Sequence, residues 1–409
     1  MKLSIIVCVY NTPREYLEKC LSSLTRSTLS LGEYEICMVD DGSDSDYRDT
    51  AEKYGAKYTR HENRGILYSR LRGIEIAEGD YIAFVDSDDT VSVNYHYPML
   101  SLSDGNDIVV NDWAFHTSKC KYSCTLDKYI SGDVYKTGDE ILPYFVSEGG
   151  RQHSFYVLWN KIFRSEILKK AAEELKQIAD KYPSYNYSED ALIAFFAHKH
   201  AKSLVNIHTG YYFYRIHSGQ SVSVENKDKL ISHIDCMSRT LDIMYAESGD
   251  HPMATTVREG IDEWRALMSR THYSYAKMGK HTELYPYIME KYKVERLEKS
   301  TLSDGRYYLK VRVLPKNLCE IDTAIYEAFS EGAACQTDSA SLCSYAYKTL
   351  LMINDMGGRV EFSASYGVVI PKGKCNVMQT IIHNYTISRI GLMLFPKGSR
   401  IRAFLKKHL

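Results

Sequence analysis

The stretch Gly79-Asp80-Tyr81-Ile82-Ala83-Phe84-Val85-Asp86-Ser87-Asp88-Asp89 decides the fold that this sequence predicts. Its apolar part, residues 81–85, has the length and composition of a strand buried on both faces of a parallel sheet. Four polar residues, three of them acids, follow directly and end the strand. We therefore predict that residues 86–89 lie at the carboxyl end of a buried strand.

Two further apolar runs lie upstream, at residues 3–10 and 36–39. The second run ends at another acidic cluster, Asp40-Asp41-Gly42-Ser43. Between these two runs the apolar residues follow helical spacing, and the same spacing is found at residues 66–77. Strands alternating with helices predict an α/β fold with a parallel sheet flanked by helices. Open sheets of this kind bind ligands at the carboxyl ends of their strands, where both acidic clusters fall.

The two acidic clusters suit a nucleotide bound together with a metal ion. A hard divalent cation takes oxygen ligands and reaches a protein through one or two carboxylates, while phosphate oxygens fill its other positions. Acid-x-acid spacing alone is weak evidence, because 52 acids in 409 residues give roughly seven such pairs by chance. The alternative reading is a solvated acidic loop.

The remaining sequence predicts three regions, 1–224, 225–300 and 301–409. In the first, a strand is expected at residues 107–111, a helix at 189–200 and an aromatic strand at 211–214. From residue 227 to about 297 the apolar residues follow helical spacing, which predicts a helical segment. From residue 303 the pattern is mixed, with strand-like runs at 307–314 and 360–370, so we expect a smaller α+β accessory region.

Composition excludes some classes of partner. Lys plus Arg number 51 against 52 acids, and a net charge of −1 supplies no field for nucleic acid, so no nucleic-acid partner is expected. The ten cysteines show no repeated zinc-ligand spacing and are interpreted as reduced thiols. Neither a signal peptide nor an 18-residue apolar run is found, so a cytoplasmic location is expected. The pattern leaves the oligomeric state open.

A set of short motifs resembles glycosyltransferase family 2, whose catalytic domain has the GT-A fold. The opening motifs are Ser4-Ile5-Ile6-Val7-Cys8-Val9-Tyr10-Asn11, Val39-Asp40-Asp41-Gly42-Ser43-Asp44, Asn63-Arg64-Gly65 with Ser69-Arg70, and residues 79–89. Later motifs are Leu158-Trp159-Asn160-Lys161-Ile162-Phe163, Ser188-Glu189-Asp190 and Tyr214-Arg215-Ile216-His217. The resemblance covers about residues 1–223. Cys8 and Leu71 depart from it, because the family usually has Pro and Asn there.

The resemblance implies a role for each acidic residue of the motifs. Asp41 would accept a hydrogen bond from the nucleotide base, usually uracil. Asp88, with Asp86 nearby, would hold Mg²⁺ or Mn²⁺ and the ribose-diphosphate. Asp190 would be the catalytic base, although it is also a favourable first-turn acid of a helix.

Other matching positions become candidate binding residues by the same resemblance. Candidates for the nucleotide side are Arg70, Val9 and Asn11, and His217 is a candidate ligand of the metal or diphosphate. Candidates for the sugar or acceptor pocket are Trp159, Asn160, Lys161 and Glu189. A tryptophan buried in a core strand is an equal alternative for Trp159.

The implied reaction is metal-dependent transfer of a sugar, with inversion, from a nucleotide sugar, with UDP-sugar as the expected donor. The expected acceptor is a bacterial surface glycan or a lipid-linked saccharide. A nucleotidyltransferase is one alternative, although no glycine-rich phosphate loop is present. A glycan- or nucleotide-binding protein without catalysis is another.

The carboxyl-terminal sequence carries a separate signal. The 48 residues after Glu361 contain no acid and eight basic residues, interleaved with apolar ones. Such a pattern is typical of a segment that binds an anionic membrane surface, here at the inner face of the cell membrane. A terminal helix docked on the enzyme with a solvated basic face is an equal alternative.

Overall fold

A computed structural model describes residues 2–26, 29, 32–91, 95–111, 114–118, 121–125, 135–149, 156–183, 185–207, 212–216, 226–294, 310–314 and 359–363. The chain divides into two compact units. The larger comprises Met1–Trp113 with Asp133–Lys299, and the smaller comprises Ala114–Gly132 with Ser300–Leu409.

An eight-stranded sheet forms the centre of the larger unit. Its strands are β1 (Leu3–Val9), β2 (Tyr34–Asp40), β3 (Lys57–Arg60), β4 (Tyr81–Phe84), β6 (Ile108–Asn111), β9 (Tyr135–Thr137), β10 (Lys161–Arg164) and β11 (Ser203–Ile207), in the order β3-β2-β1-β4-β10-β6-β11-β9. The first four are parallel, β10 runs antiparallel to both of its neighbours, and β11 is parallel to β6. Outside the central sheet, β5 (Thr90–Val91) pairs antiparallel with β12 (Tyr212–Ile216).

Ten α-helices and two short 3₁₀ helices (Gly138–Glu140 and Thr282–Leu284) have bounds in the described part of this unit. The α-helices are α1 (Arg14–Thr25), α2 (Arg48–Lys53), α3 (Ile66–Ile76), α4 (His96–Ser101), α5 (Ile141–Gly149), α6 (Ser165–Lys181), α7 (Glu189–His200), α8 (Lys227–Glu247), α9 (Ala254–Met278) and α10 (Tyr285–Tyr292). Together with the central sheet they confirm the predicted α/β fold with a helical segment after it. Among the described helices, none has the length and apolar character needed to cross a membrane.

The register of the central strands places both acidic clusters at one edge of the sheet. Val9, the last residue of β1, pairs with Asp40, the last residue of β2. On the other side of β1, Ile6 pairs with Phe84, the last residue of β4. Because all three strands are parallel, the two clusters emerge on either side of the end of β1, as the sequence predicts.

The helical segment shares the core of the sheet domain. Buried residues of α8 and α9, including Ile234, Leu241 and Trp264, belong to the same apolar cluster as residues of β4 and α7. The Phe145 ring of α5 meets Trp264 edge-on at 6.0 Å. The helices after residue 225 therefore belong to the same compact unit as the sheet. The predicted boundaries at 224 and 300 stay predictions.

The described part of the smaller unit is a run of four antiparallel strands. They are β7 (Ala114–Ser118), β8 (Lys121–Thr125), β13 (Lys310–Leu314) and β14 (Arg359–Ser363), in the order β14-β13-β8-β7. β13 and most of β14 fall in the two stretches that the sequence marks as strand-like. The eight basic residues of the carboxyl-terminal segment lie outside the described residues.

Candidate active site

The loop after β2 holds Asp41 through a network of short hydrogen bonds. Asp40 is fully buried, and its carboxylate accepts the Ser43 amide at 2.8 Å and the Tyr58 hydroxyl at 2.7 Å. Asp41 is 5% exposed and accepts the Arg64 amide at 2.8 Å. Gly42 has φ of +75°, and a Cβ there would lie 2.6 Å from the Asn63 nitrogen, so only glycine fits. The neighbouring acids thus differ in function, because Asp40 stabilises the loop that positions Asp41.

The end of β1 is tied to this loop by Asn11. Asn11 adopts the left-handed conformation (φ 50°), which asparagine tolerates. The backbone amide of Asn11 donates to Ser43 Oγ at 3.0 Å, and its side-chain Oδ1 accepts the Asp44 backbone amide at 2.8 Å. The Val9 carbonyl accepts the Asp41 amide at 2.9 Å. The structure therefore brings Val9 and Asn11 to the loop that contains Asp41, and their roles in nucleotide binding stay predictions.

Tyr10 is a site candidate to which the motifs assign no role. It lies between Val9 and Asn11, and it is 55% exposed although six of the seven residues of the preceding strand are buried. An exposed aromatic ring at the carboxyl end of a buried strand offers a face on which a nucleobase can stack. The position of Tyr10 in the sequence could have indicated this role, because Tyr10 is the aromatic residue directly before the turn at Asn11.

The second acidic cluster also contains one acid that acts as an anchor. Asp89 is buried, and its carboxylate accepts the Tyr212 hydroxyl at 2.8 Å and the Arg215 amide at 2.6 Å. The same Tyr212 hydroxyl accepts the Asp86 amide at 3.0 Å. Burial raises the pKa of Asp89, and the charge of Asp88 adds to the rise. β12 therefore fixes the loop that presents Asp86 and Asp88.

Arg70 joins this loop to the helix that carries the candidate base. The Arg70 side chain, in α3, is 9% exposed and donates to Glu189 Oε1 at 2.6 Å and to Asp86 Oδ1 at 3.2 Å. Burial by itself lowers the pKa of Arg70, but the carboxylates of Glu189 and Asp86 outweigh it and raise the pKa. The positive charge of Arg70 is thus paired with two carboxylates that come from different elements. The roles of Arg70 and Glu189 in ligand binding stay predictions.

Asp190 occupies the first turn of α7, next to Glu189. It is half-buried, and its Oδ1 accepts the Ala191 amide at 2.8 Å. Burial and the charge of Glu189 raise the pKa of Asp190 to about 7, although Arg70 opposes the rise. A carboxylate with a pKa near neutrality matches the requirement for a general base.

Three half-buried tyrosines lie within electrostatic range of Asp190. They are Tyr156, Tyr187 and Tyr214. Burial raises the pKa of each phenol, and the negative charge of Asp190 adds to the rise. Three phenol groups therefore interact electrostatically with the candidate base.

The Trp-Asn-Lys motif lies inside the fold. The Trp159 ring is 5% exposed and stacks on Tyr212 at 4.3 Å. Asn160 and Lys161 are fully buried, and the ammonium of Lys161 donates to Asn160 Oδ1 at 2.6 Å and to the Val157 carbonyl at 2.7 Å. Their predicted place in the sugar or acceptor pocket stays a prediction. His217 lies outside the described residues.

The acids at the sheet edge fit a metal ion that is shared with a ligand. Within the described ranges, no group of three or more His, Cys, Asp or Glu side chains could hold a metal ion alone. Mg²⁺ bound with a nucleotide takes one or two carboxylates and completes its shell with phosphate oxygens and water. Asp88 and Asp86 meet that requirement, so the donor set suits a metal that binds together with a diphosphate.

Comparison with known proteins places the first part of the chain in a family. Residues 4–170 match the model of glycosyl transferase family 2. The putative glycosyltransferase EpsH of Bacillus subtilis is 31% identical over 233 residues, which cover 53% of this chain and 61% of that protein. The poly(ribitol-phosphate) beta-glucosyltransferase of Bacillus spizizenii is 40% identical over 98 residues, 22% of this chain and 15% of that protein.

Residues 4–170 are therefore a domain of glycosyltransferase family 2, which confirms the family resemblance over that range. The motifs at residues 188–190 and 214–217 lie beyond it. Because this domain contains the parallel sheet, the family assignment also confirms the predicted GT-A fold class. The chain spans less than two thirds of the length of these curated relatives. Among solved structures, S. aureus TarS 1-349 in complex with UDP-GlcNAc has a TM-score of 0.49 and 17% identity, covering 75% of this chain and 95% of that chain.

Proposed function

We propose that this chain is a glycosyltransferase that moves a sugar from a nucleotide sugar to a hydroxyl of a cell-surface glycan or a lipid-linked saccharide. One observation carries the proposal: Asp41, Asp86, Asp88 and Asp190 lie on elements that Arg70 and the strand register tie together. The names of the relatives agree with it, because they include glycosyltransferases acting on poly(ribitol-phosphate) and on cholesterol.

The proposed donor is a UDP-sugar. Asp41 is held rigidly, and a carboxylate can accept the N3 hydrogen of uracil. The exposed ring of Tyr10 would stack on the base, and the Val9–Asn11 turn would border the ribose. A Mg²⁺ or Mn²⁺ ion, held by Asp88 with Asp86 and the diphosphate, would supply positive charge for the leaving group, and the resemblance adds His217 as a ligand.

In the proposed reaction, Asp190 removes the proton of the acceptor hydroxyl. The hydroxyl oxygen forms a bond to the anomeric carbon as the bond from that carbon to the diphosphate oxygen breaks. The nucleoside diphosphate leaves with the electron pair of the broken bond, and one displacement from the opposite face inverts the anomeric configuration, as in inverting glycoside hydrolysis. Tyr156, Tyr187 and Tyr214 would provide the aromatic and hydroxyl contacts that suit a saccharide acceptor.

Release of nucleoside diphosphate from a panel of nucleotide sugars tests this function and its metal dependence. We expect UDP release in the presence of Mn²⁺, loss of that release in EDTA, and a fall of roughly 10²-fold in Asp88→Ala, because the charge on the leaving group is then uncompensated. Asp104→Ala, which changes an exposed loop acid outside the site, is the control and should keep the normal rate. Release of sugar 1-phosphate instead of UDP would favour a nucleotidyltransferase, and unaltered turnover in Asp88→Ala would place the metal elsewhere.

The rigid carboxylate of Asp41 also predicts which nucleotide binds. Uracil and thymine carry a hydrogen at N3, whereas cytosine has none and guanine has a different outline. Calorimetry in Mn²⁺ should therefore show tighter binding of UDP than of CDP or GDP, with dTDP as the nearest competitor. Asp41→Asn should reduce this preference. Equal affinity of the unaltered protein for all four nucleotides would contradict the assignment.

The basic carboxyl-terminal segment is proposed to hold the protein at an anionic membrane surface on the cytoplasmic side. Each basic residue near anionic lipid contributes about 1 kcal/mol, and the attraction decays within roughly 8 to 10 Å at physiological salt. The triple substitution of Lys397, Arg400 and Arg402 by Gln should reduce sedimentation with phosphatidylglycerol vesicles at low salt. The control changes Lys169, Lys170 and Lys176, exposed on α6, to Gln. If the two triple variants bind vesicles equally, the segment is not a membrane anchor.

A further inference from the structure

The turn directly before the proposed base has a backbone conformation that residues with a Cβ rarely adopt. Ser188, the residue before α7, has φ of 61° and ψ of 12°, in the left-handed region. This region is unfavourable for serine, and such a conformation persists only where the surrounding structure determines it. Glu189 and Asp190 follow immediately, so the direction in which α7 presents both carboxylates depends on this turn.

A chain of three buried hydroxyl groups holds the turn. Ser188 Oγ lies 2.6 Å from the Tyr187 carbonyl oxygen and 2.8 Å from Thr240 Oγ1. The Tyr185 hydroxyl bonds to the same Thr240 oxygen. The Tyr185 hydroxyl also lies 3.3 Å from the Cys236 carbonyl. Since each hydroxyl carries one proton, the chain can run from Tyr185 through Thr240 and Ser188 to the Tyr187 carbonyl, or in reverse from Ser188 through Thr240 and Tyr185 to the Cys236 carbonyl. Thr240 is thus both acceptor and donor at the centre of the chain.

Thr240 comes from α8, outside the stretch that matches the family model. It is fully buried, and its helix contributes Met237 and Leu241 to the core that it shares with α7. A buried side chain of this helix is therefore fixed in position relative to the turn. Hydrogen bonds between buried groups of fixed position specify one arrangement of their oxygen atoms, because an unpaired hydroxyl in the interior is costly.

We propose that Thr240 is a positioning residue for Asp190. Its hydroxyl fixes the Ser188 turn, and through that turn it sets the direction of Asp190 toward the acceptor hydroxyl. The inference rests on the proposed function, in which Asp190 is the base. It gives the helical segment a part in the reaction, although that segment lies 52 residues away from the turn in sequence.

Thr240→Val tests the proposal, because it removes the hydroxyl and keeps the shape of the side chain. We expect kcat for UDP release to fall about tenfold, as a displaced reacting group loses rate steeply, while KM for the nucleotide sugar changes less than about twofold. Thr240→Ser, which restores the hydroxyl, should recover most of the rate. Ser238→Ala is the matched control, since Ser238 lies on the same helix, is buried, and bonds to the carbonyl of Asp235.

Hydrogen exchange provides a measurement that does not depend on turnover. The Leu192 amide donates to the Ser188 carbonyl at 3.2 Å, so its exchange reports the turn. It should exchange faster in Thr240→Val and at the normal rate in Thr240→Ser and Ser238→Ala. Normal exchange of the Leu192 amide in Thr240→Val overturns the proposal. This outcome can be read even if the protein turns over no nucleotide sugar and the proposed function has failed. Normal kcat in Thr240→Val, or equal losses of kcat in the valine and serine variants, also overturns it.

Discussion

Replacing Asp190 by asparagine is expected to slow sugar transfer by roughly 10²-fold or more, because the amide cannot take the proton of the acceptor hydroxyl. Binding of UDP with Mn²⁺ should stay within about twofold, since the donor carboxylates lie at the ends of β2 and β4 and not on α7. Steady-state rates and calorimetry measure the two quantities separately. The contrast between lost turnover and retained binding is the mark of a catalytic group.

Asp228→Asn is the matched control for this variant. Asp228 is also a first-turn acid, but it is exposed on α8, so its replacement should leave turnover unchanged. The pH dependence adds a second check. Because the pKa of Asp190 is raised to about 7, the base is protonated below that pH, and kcat should rise as pH increases through about 7. Near-normal turnover by Asp190→Asn would remove Asp190 from the mechanism.

Replacing Arg70 by methionine is expected to destabilise the protein by about 3–5 kcal/mol, the usual cost of removing one partner from a buried ion pair. The side chains of Arg70 and Glu189 are each 9% exposed, so the Glu189 carboxylate would be left in the interior without its counter-ion. Urea unfolding measures the loss. Arg70 also lowers the pKa of Asp190, so in this variant the pH at which kcat rises should move upward.

Arg72→Met provides the comparison, because Arg72 lies on the same helix and forms an exposed pair with Glu75 at 2.6 Å. Exposed pairs contribute about 0–1 kcal/mol, so this variant should unfold almost normally. Adding Glu189→Gln to Arg70→Met should recover part of the lost stability, since no carboxylate then remains unpaired at residue 189. Equal unfolding free energies for Arg70→Met and Arg72→Met would show that the buried pair does not stabilise the fold.

The amino-terminal half of the sheet could be predicted from the sequence because its signals are local. The apolar runs correspond to β1, β2 and β4, and the acids follow those strands at one edge of the sheet. Residues 189–200 form the predicted helix α7. In each case a run of buried residues and the polar residues that end it lie within a few positions of one another.

Several elements of the middle region were not predicted, among them α5, α6, β10 and β11. α6 is amphipathic, and Ile167, Leu168, Ala171, Ala172 and Leu175 are buried at helical spacing, so its signal was present in the sequence. β10 is only four residues long and runs antiparallel between β4 and β6. The sequence of so short a strand does not specify which neighbours it will pair with, because that pairing depends on contacts across the whole sheet.

The contacts that organise the site could not be predicted for a related reason. Arg70 meets Glu189 across 119 positions of the chain, and Thr240 meets Ser188 across 52. Periodicity reports which residues face the core and says nothing about which buried polar groups meet there. The motifs single out candidate residues, whereas only the tertiary structure shows that Asp40 and Asp89 hold their loops through hydrogen bonds and that Arg70 engages two carboxylates.

The shared core of the sheet and the later helices bears on how this protein can be shortened for expression. A chain cut at residue 224 would lose Leu230, Ile234 and Leu241, whose side chains are at most 1% exposed, and would open the apolar faces against which they pack. Large exposed apolar faces promote aggregation. The interior of the larger unit therefore requires the chain to about Val294, roughly 120 residues past the end of the family match.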